Sequence, residues 1–158
     1  MPPHPETIYR LGRPEDVPAI HAILREAQLS VPLPTDRERL TRSPIGAIYS
    51  AVCQQGSEIA GVLQWRNLGE ELEILDLAVA TKHRRAGHAS FLLENFLREA
   101  RSTGAHSIFL EVRESNAPAV ALYTKFGFVR AGRRANYYRN PAEAALLMQR
   151  ALPGVEQG

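Results

Sequence analysis

Glu71-Leu-Glu-Ile-Leu-Asp-Leu-Ala-Val-Ala80 leads into Arg84-Arg85-Ala86-Gly87-His88-Ala89 and then Ser90-Phe-Leu-Leu-Glu-Asn-Phe-Leu-Arg-Glu-Ala100. The first segment alternates and then turns apolar, as a strand entering a core does. The last carries Leu92, Leu93, Phe96, Leu97 and Ala100 at helical spacing, which predicts a helix over about 87–102 with Gly104 at its C-terminal cap. Between them lies a short basic loop with one glycine. The first amides of a helix lack internal partners, and their dipoles point outward. An anion such as a pyrophosphate can take several of them at once. Small residues at Gly87 and Ala89 let phosphates approach the backbone, and Arg84 and Arg85 add charge. The run Arg84, Arg85, Ala86, Gly87, His88, Ala89 and Ser90 is therefore a candidate phosphate cradle. A basic surface loop followed by an ordinary helix start is the plainer reading. No Gly-Lys-Ser/Thr follows, so this is not a Walker loop, and the further glycines of a dinucleotide fingerprint are missing.

Outward from this unit, residues 7–11 read as a strand. Pro14 then starts a helix, with Glu15 and Asp16 complementing its dipole and Val17, Ile20, Ile23, Leu24 and Ala27 as its buried stripe. Pro32 and Pro34 end that segment, and a short polar helix over about 35–42 follows. Residues 47–54 and 58–66 read as strands joined at Gln55-Gly56-Ser57. Ser107 to Arg113 is a further strand. Ser115-Asn116 caps a helix over 117–126, ended by Gly127. Residues 128–138 and 143–151 are the last strands, the second Ala-rich. Hairpin-linked strands followed by helical crossovers imply an α+β fold: one central mixed, mostly antiparallel sheet with helices on both faces.

Composition limits the alternatives. The chain has 158 residues, 44% apolar and 23% charged, which fits a single domain over 1–158 with one core. A formal net charge of +2 is too weak for a nucleic-acid partner, although His83-Arg84-Arg85 and Arg130 to Arg139 form local basic clusters. One cysteine, Cys53, excludes an internal disulfide and fits a reducing cytoplasm. No signal peptide is visible at Met1-Pro-Pro-His-Pro, and no run of about 18 apolar residues offers a membrane span. The five histidines include no pair at i, i+4, so no metal site is expected.

Leu110-Glu-Val-Arg-Glu-Ser-Asn116 is followed by Ala121-Leu-Tyr-Thr-Lys-Phe-Gly-Phe128, then Gly132-Arg-Arg134 and Asn136-Tyr-Tyr138. With the loop at 84–89, these motifs resemble the GNAT acetyltransferase superfamily. Over about 71–152 they are similar to its bacterial ribosomal-protein alanine N-acetyltransferases. The resemblance implies a GNAT fold, acetyl-coenzyme A (acetyl-CoA) as cosubstrate and no metal. It implies Glu111 as general base, Tyr123 as general acid and Asn116 as a cofactor contact. It also implies that backbone groups of Leu77, Ala78 and Val79 hold the pantetheine arm and acetyl carbonyl. The residue types suit the chemistry. A peptide α-amino group, with a pKa of about 8, must lose a proton before it attacks a thioester. A tyrosine, protonated at neutral pH, can quench the departing thiolate. A free backbone N–H near Val79 can receive the oxyanion.

Each residue has a plainer reading. Glu111 can be a solvated strand carboxylate paired with Arg113 or Arg134. Tyr123 can be a packing residue, and Asn116 a helix cap. Tyr137 and Tyr138 line a peptide groove or stabilise a strand. His83 and His88 read as surface residues, Cys53 and Trp65 as packing. The first half departs from the family: Leu29-Ser-Val-Pro-Leu-Pro-Thr-Asp-Arg-Glu-Arg-Leu40 lacks its aromatic-rich segment, in a region that shapes the acceptor pocket. The acceptor expected is thus a protein or peptide N-terminus, or a small amine such as a polyamine, amino acid or antibiotic. A non-catalytic coenzyme A-binding module is the reading from another class. The chain is expected to be a monomer or weak homodimer.

Overall fold

The computed structural model describes residues 3–27, 45–139 and 141–153. Seven strands form one sheet in the order β1-β2-β3-β4-β5-β7-β6. They are β1 (Thr7–Leu11), β2 (Ile48–Gln55), β3 (Glu58–Asn67), β4 (Glu71–Val79), β5 (Ser107–Arg113), β6 (Val129–Tyr138) and β7 (Glu143–Ala151). The helices are α1 (Val17–Glu26), α2 (His88–Ala100) and α3 (Ala117–Lys125). Only β4 and β5 pair in parallel; every other neighbour is antiparallel. This is the mixed α+β sheet expected from the order of elements. The Ala-rich segment at 143–151 is an inner strand between β5 and β6, where small side chains suit burial on both faces. The polar helix expected at 35–42 lies outside the described residues.

Side chains alternate across the sheet and divide the core in two. Ala51, Cys53, Leu63, Trp65, Ile74, Leu110 and Val112 face α2 and α3, where Leu92, Leu93, Phe96, Leu97, Ala100 and Tyr123 close the larger cluster. Val52, Val62 and Ala78 face α1 and meet Ile20, Ile23 and Leu24. Trp65 lies between Tyr49 and Phe96, with ring centroids 5.6 and 5.0 Å away. Asp16 departs from expectation. It is buried and takes two hydrogen bonds from Arg10 at 2.7 and 2.8 Å and one from the Arg13 amide at 2.6 Å. The Arg10 guanidinium beside it holds its carboxyl below the usual range. It ties the start of α1 to β1 rather than merely complementing a dipole. Among the described residues, no helix is long and apolar enough to cross a membrane.

One glycine sets how closely α2 approaches the sheet. A Cβ at Gly61 would stand 3.0 Å from both the Ala78 carbonyl oxygen and Leu92 Cδ1, and 3.2 Å from Cys53 Sγ. Three elements would have to yield at once. Gly61→Ala is expected to destabilise the fold by about 1–3 kcal/mol, read as a fall of several degrees in Tm.

Candidate active site

β4 and β5 pair from Glu71↔Ser107 to Ile74↔Leu110 and no further, although β4 runs on to Val79 and β5 to Arg113. The separation has a local cause. Across β3, Gln64 pairs with Asp76 and Trp65 with Ile74, leaving Leu75 as an extra residue. Such a bulge bends and twists its strand. Leu77, Ala78 and Val79 keep their β3 partners Leu63, Val62 and Gly61. Their other edge, towards β5, has no strand partner among the described residues. A cleft thus opens between the two strands, with bare backbone on its β4 side.

The basic loop borders this cleft. Gly87 is the N-cap of α2 at φ +87°, and no side chain caps the helix. The first intrahelical bond runs from the Phe91 amide to the Gly87 carbonyl at 3.0 Å. The amides of His88, Ala89 and Ser90 therefore have no partner within the helix. Arg85 also lies in the left-handed region at φ +63°, a conformation that costs a non-glycine residue about 1–2 kcal/mol. Two left-handed residues flanking Ala86 make the kind of concave backbone that receives anions. Arg84 and Arg85 are exposed, and Arg84 Nε donates to the Val79 carbonyl at 3.3 Å. That bond ties the loop to the end of β4.

His88 corrects the surface assignment. It is 1% exposed, with Nδ1 3.7 Å from Cys53 Sγ and its ring edge-on to His83 at 5.6 Å. Burial, and then the charge of His83, lowers its pKa. Position 88 stands four residues before Leu92 and eight before Phe96, so the ring falls on the buried stripe; that spacing is the signal in the sequence. His88 can offer an anion its amide, while its imidazole packs inward. His83 is half-buried and pairs with Glu58 at 2.9 Å.

Glu111 and Tyr123 approach the cleft from opposite faces. Leu110 and Val112 point into the larger cluster, so alternation sends Glu111 to the other face. There its carboxylate lies 3.4 Å from Arg134 Nε and bonds the Tyr137 hydroxyl, which together with burial raises the tyrosine's pKa. Arg134, and not Arg113, is its cation. Arg113 lies 3.5 Å from Glu143 and stacks 4.1 Å over the Tyr138 ring. A break in the β6–β7 register between Arg134 and Tyr138, with Asn136 at φ +54°, brings Tyr137 to Glu111. Glu73 lies on the same face; burial raises its pKa, opposed by Arg66 and reinforced by the charge of Glu111.

Tyr123 is 6% exposed and meets Phe128 edge-on at 5.5 Å, so it is a packing residue. Burial, then the charges of Asp76 and Tyr138, raises its phenol well above the ordinary value. That places it in the electrostatic reach of groups at the cleft, and both readings of Tyr123 remain compatible. Asn116 caps α3, its side chain accepting from the Ala119 amide at 3.2 Å. Cys53 is fully buried, which pushes its thiol up to about 12. Asp76, half-buried on β4 just beyond the Leu75 bulge, is a carboxyl that burial pushes up to about 7 and that sequence reasoning misses. Its one signal is a lone carboxylate inside the apolar run Leu75 to Ala80. Among the described residues, no group of three His, Cys, Asp or Glu side chains is arranged to hold a metal.

Residues 17–128 match the acetyltransferase (GNAT) family profile. The [ribosomal protein bS18]-alanine N-acetyltransferase of Escherichia coli (strain K12) is 40% identical over 86 residues, 53% of this chain and 57% of that protein. The N-alpha-acetyltransferase of Saccharolobus solfataricus is 36% identical over 94 residues, covering 59% and 56%. These alignments span just over half the length of the curated relatives. The crystal structure of the ribosomal-protein-S18-alanine N-acetyltransferase from Escherichia coli superposes with a TM-score of 0.78 at 25% identity, covering 96% of this chain and 97% of that one.

Proposed function

The chain belongs to the acetyltransferase (GNAT) family, and on that premise we propose that it transfers an acetyl group from acetyl-CoA to a primary amine, foremost the α-amino group of a protein or peptide. One observation carries the reading. The uncapped, left-handed start of α2 adjoins a cleft between β4 and β5 that has Tyr123 on one side and Glu111 on the other. An anion-binding helix start beside bare strand edges suits a long thioester with a pyrophosphate at one end.

In this reading Arg84, Arg85, Ala86, Gly87, His88, Ala89 and Ser90 receive the pyrophosphate, mainly through backbone amides. Leu77, Ala78 and Val79 offer their unpaired edge to the pantetheine arm. A backbone N–H there stabilises the oxyanion, and Asn116, the N-cap of α3, contacts the cofactor. Glu111 draws the first proton from the acceptor ammonium, directly or through water. Tyr123 donates to the sulfur as the carbon–sulfur bond breaks. The Glu111 face, with Tyr137 46% exposed, suits an extended peptide. The names of the two curated relatives support an α-amino acceptor. Acetyl-CoA use and one buried cysteine fit a cytoplasmic enzyme acting as a monomer or weak homodimer.

Acetyl-CoA at about 100 times its Kd should stabilise the protein by about 2.7 kcal/mol, seen as a rise of several degrees in Tm. Absence of a shift at saturation would remove the proposal. A thiol-release assay across peptides with free N-termini, polyamines and amino acids then identifies the acceptor. Release with small amines alone would exclude the peptide reading.

A further inference from the structure

One charged residue stands in the core row of β7. Alternation along this strand and just beyond it puts Leu146, Met148, Arg150 and Leu152 on one face of the sheet. Leu146, Met148 and Leu152 all lie in the larger hydrophobic cluster, beneath α2 and α3. Arg150 takes the place where the pattern calls for another apolar side chain. The turn after α3 holds it there. Gly127, at φ +88°, leaves room for the arginine: a Cβ at this position would stand 3.1 Å from Arg150 Nε and 3.7 Å from its Cδ.

Arg150 borders a hollow of about 280 Å³ at the C-terminal end of α2. Glu94, Leu97 and Arg98 of α2, Arg101 at its C-cap and Phe126 at the end of α3 form the other walls. Three guanidinium groups thus share the hollow with one carboxylate, and Glu94 lies 3.8 Å from Arg98. Among the described residues, neither Arg101 nor Arg150 has a carboxylate partner. Arg150 Nη1 is buried and makes no hydrogen bond within them. Burial, and then the charge of Arg101, lowers the pKa of the Arg150 guanidinium.

Two ordinary roles account for part of this arrangement. Cations in the last turn of a helix complement its dipole, which explains Arg98 and Arg101. An arginine stem can cover apolar surface while its head reaches water, which explains the methylenes of Arg150. Neither explains a buried N–H group beside a second cation. Buried polar groups are satisfied in folded proteins, and an unpaired buried charge is costly. An anion in the hollow would satisfy both arginines.

We propose that this hollow is a second binding site, which takes a small phosphate monoester with an apolar or aromatic body. Three positive charges against one negative leave +2, which matches the charge of about −1.5 to −2 on a phosphate monoester at neutral pH. The planar forks of Arg101 and Arg150 suit paired phosphate oxygens. Leu97 and Phe126 offer the apolar wall for the esterified group. The site is separate from the cradle at 84–90. α2 has 13 residues, so about 20 Å divides its two ends. Acetyl-CoA bound at the start of α2 would leave this hollow free.

The test titrates the protein with phenyl phosphate and with inorganic phosphate, in chloride buffer of low ionic strength, and follows the arginine Nε–H signals by NMR. Wild type should bind phenyl phosphate several-fold more tightly than inorganic phosphate. Arg150→Leu and Arg101→Ala should each weaken binding on the order of tenfold. Arg101 is exposed, so its variant tests the site even where Arg150→Leu does not fold. Arg25→Ala removes an exposed charge from α1, on the other face of the sheet, and should change Kd by less than about twofold. Saturating acetyl-CoA should also leave Kd within about twofold, because the two sites lie at opposite ends of α2. Absence of binding at about 10 mM phenyl phosphate would overturn the proposal. So would wild-type affinity in Arg101→Ala, equal affinity for inorganic phosphate, an equal loss in Arg25→Ala, or displacement by acetyl-CoA. None of these outcomes touches the transferase reading, which thiol release decides.

Discussion

Tyr123→Phe should lower kcat on the order of 10³-fold at pH 7.5 while leaving the protein folded. The substitution deletes only the hydroxyl. The ring keeps its edge-on contact with Phe128 and its place in the larger cluster, so the loss of stability should stay below about 1 kcal/mol. The thiolate would instead leave unprotonated or wait for water, and general acid catalysis is worth about 10²–10⁴-fold. Because burial and the Asp76 charge hold the phenol above its usual pKa, deprotonation of Tyr123 should not limit the wild-type rate at any pH up to about 10. Steady-state thiol release and thermal unfolding of both proteins test this together. An unchanged kcat would leave Tyr123 a packing residue alone. A variant that fails to fold would likewise assign the hydroxyl to the core.

Glu111→Gln should lower kcat on the order of 10²–10³-fold at pH 7. The amide keeps the shape of the side chain and an oxygen for the Tyr137 hydroxyl, but it removes the charge facing Arg134. The sign with pH follows from the acceptor. An α-amino group has a pKa of about 8, so above that value the amine arrives already neutral and needs less help. The deficit should therefore be greatest near pH 6 and shrink towards pH 9. Affinity for acetyl-CoA should stay within about twofold, because the backbone cradle at the start of α2 does not depend on the Glu111 charge. A deficit constant across this range would assign Glu111 a structural role.

The strands and helices are legible in the sequence because their signals are local. The stripe at Leu92, Leu93, Phe96 and Leu97, the cap at Asn116 and the turn at Gly56-Ser57 each act within a few residues. Gln55 instead closes β2, and Gly104 stands beyond a short 3-10 turn that extends α2. The cradle is legible for the same reason: a helix start and its loop are adjacent in sequence. His88 misleads because a histidine three residues after a pair of arginines looks polar, while its place on the apolar stripe buries it. Asp76 has one signal in the sequence, its place inside an apolar run, and that signal says nothing of what surrounds it.

The chain's own sequence determined the element order, the basic, uncapped helix start at 84–90 and the family to which the chain belongs. Only the tertiary structure decided that β4 and β5 part after Ile74 and Leu110, that Arg134 rather than Arg113 faces Glu111, and that Asp76 is half-buried beside the Leu75 bulge. The reason is physical. A hydrophobic period or a cap is fixed by neighbours along the chain, whereas register, burial and charge pairing depend on strands far apart in sequence, and a single bulge at Leu75 changes which side chains they bring together.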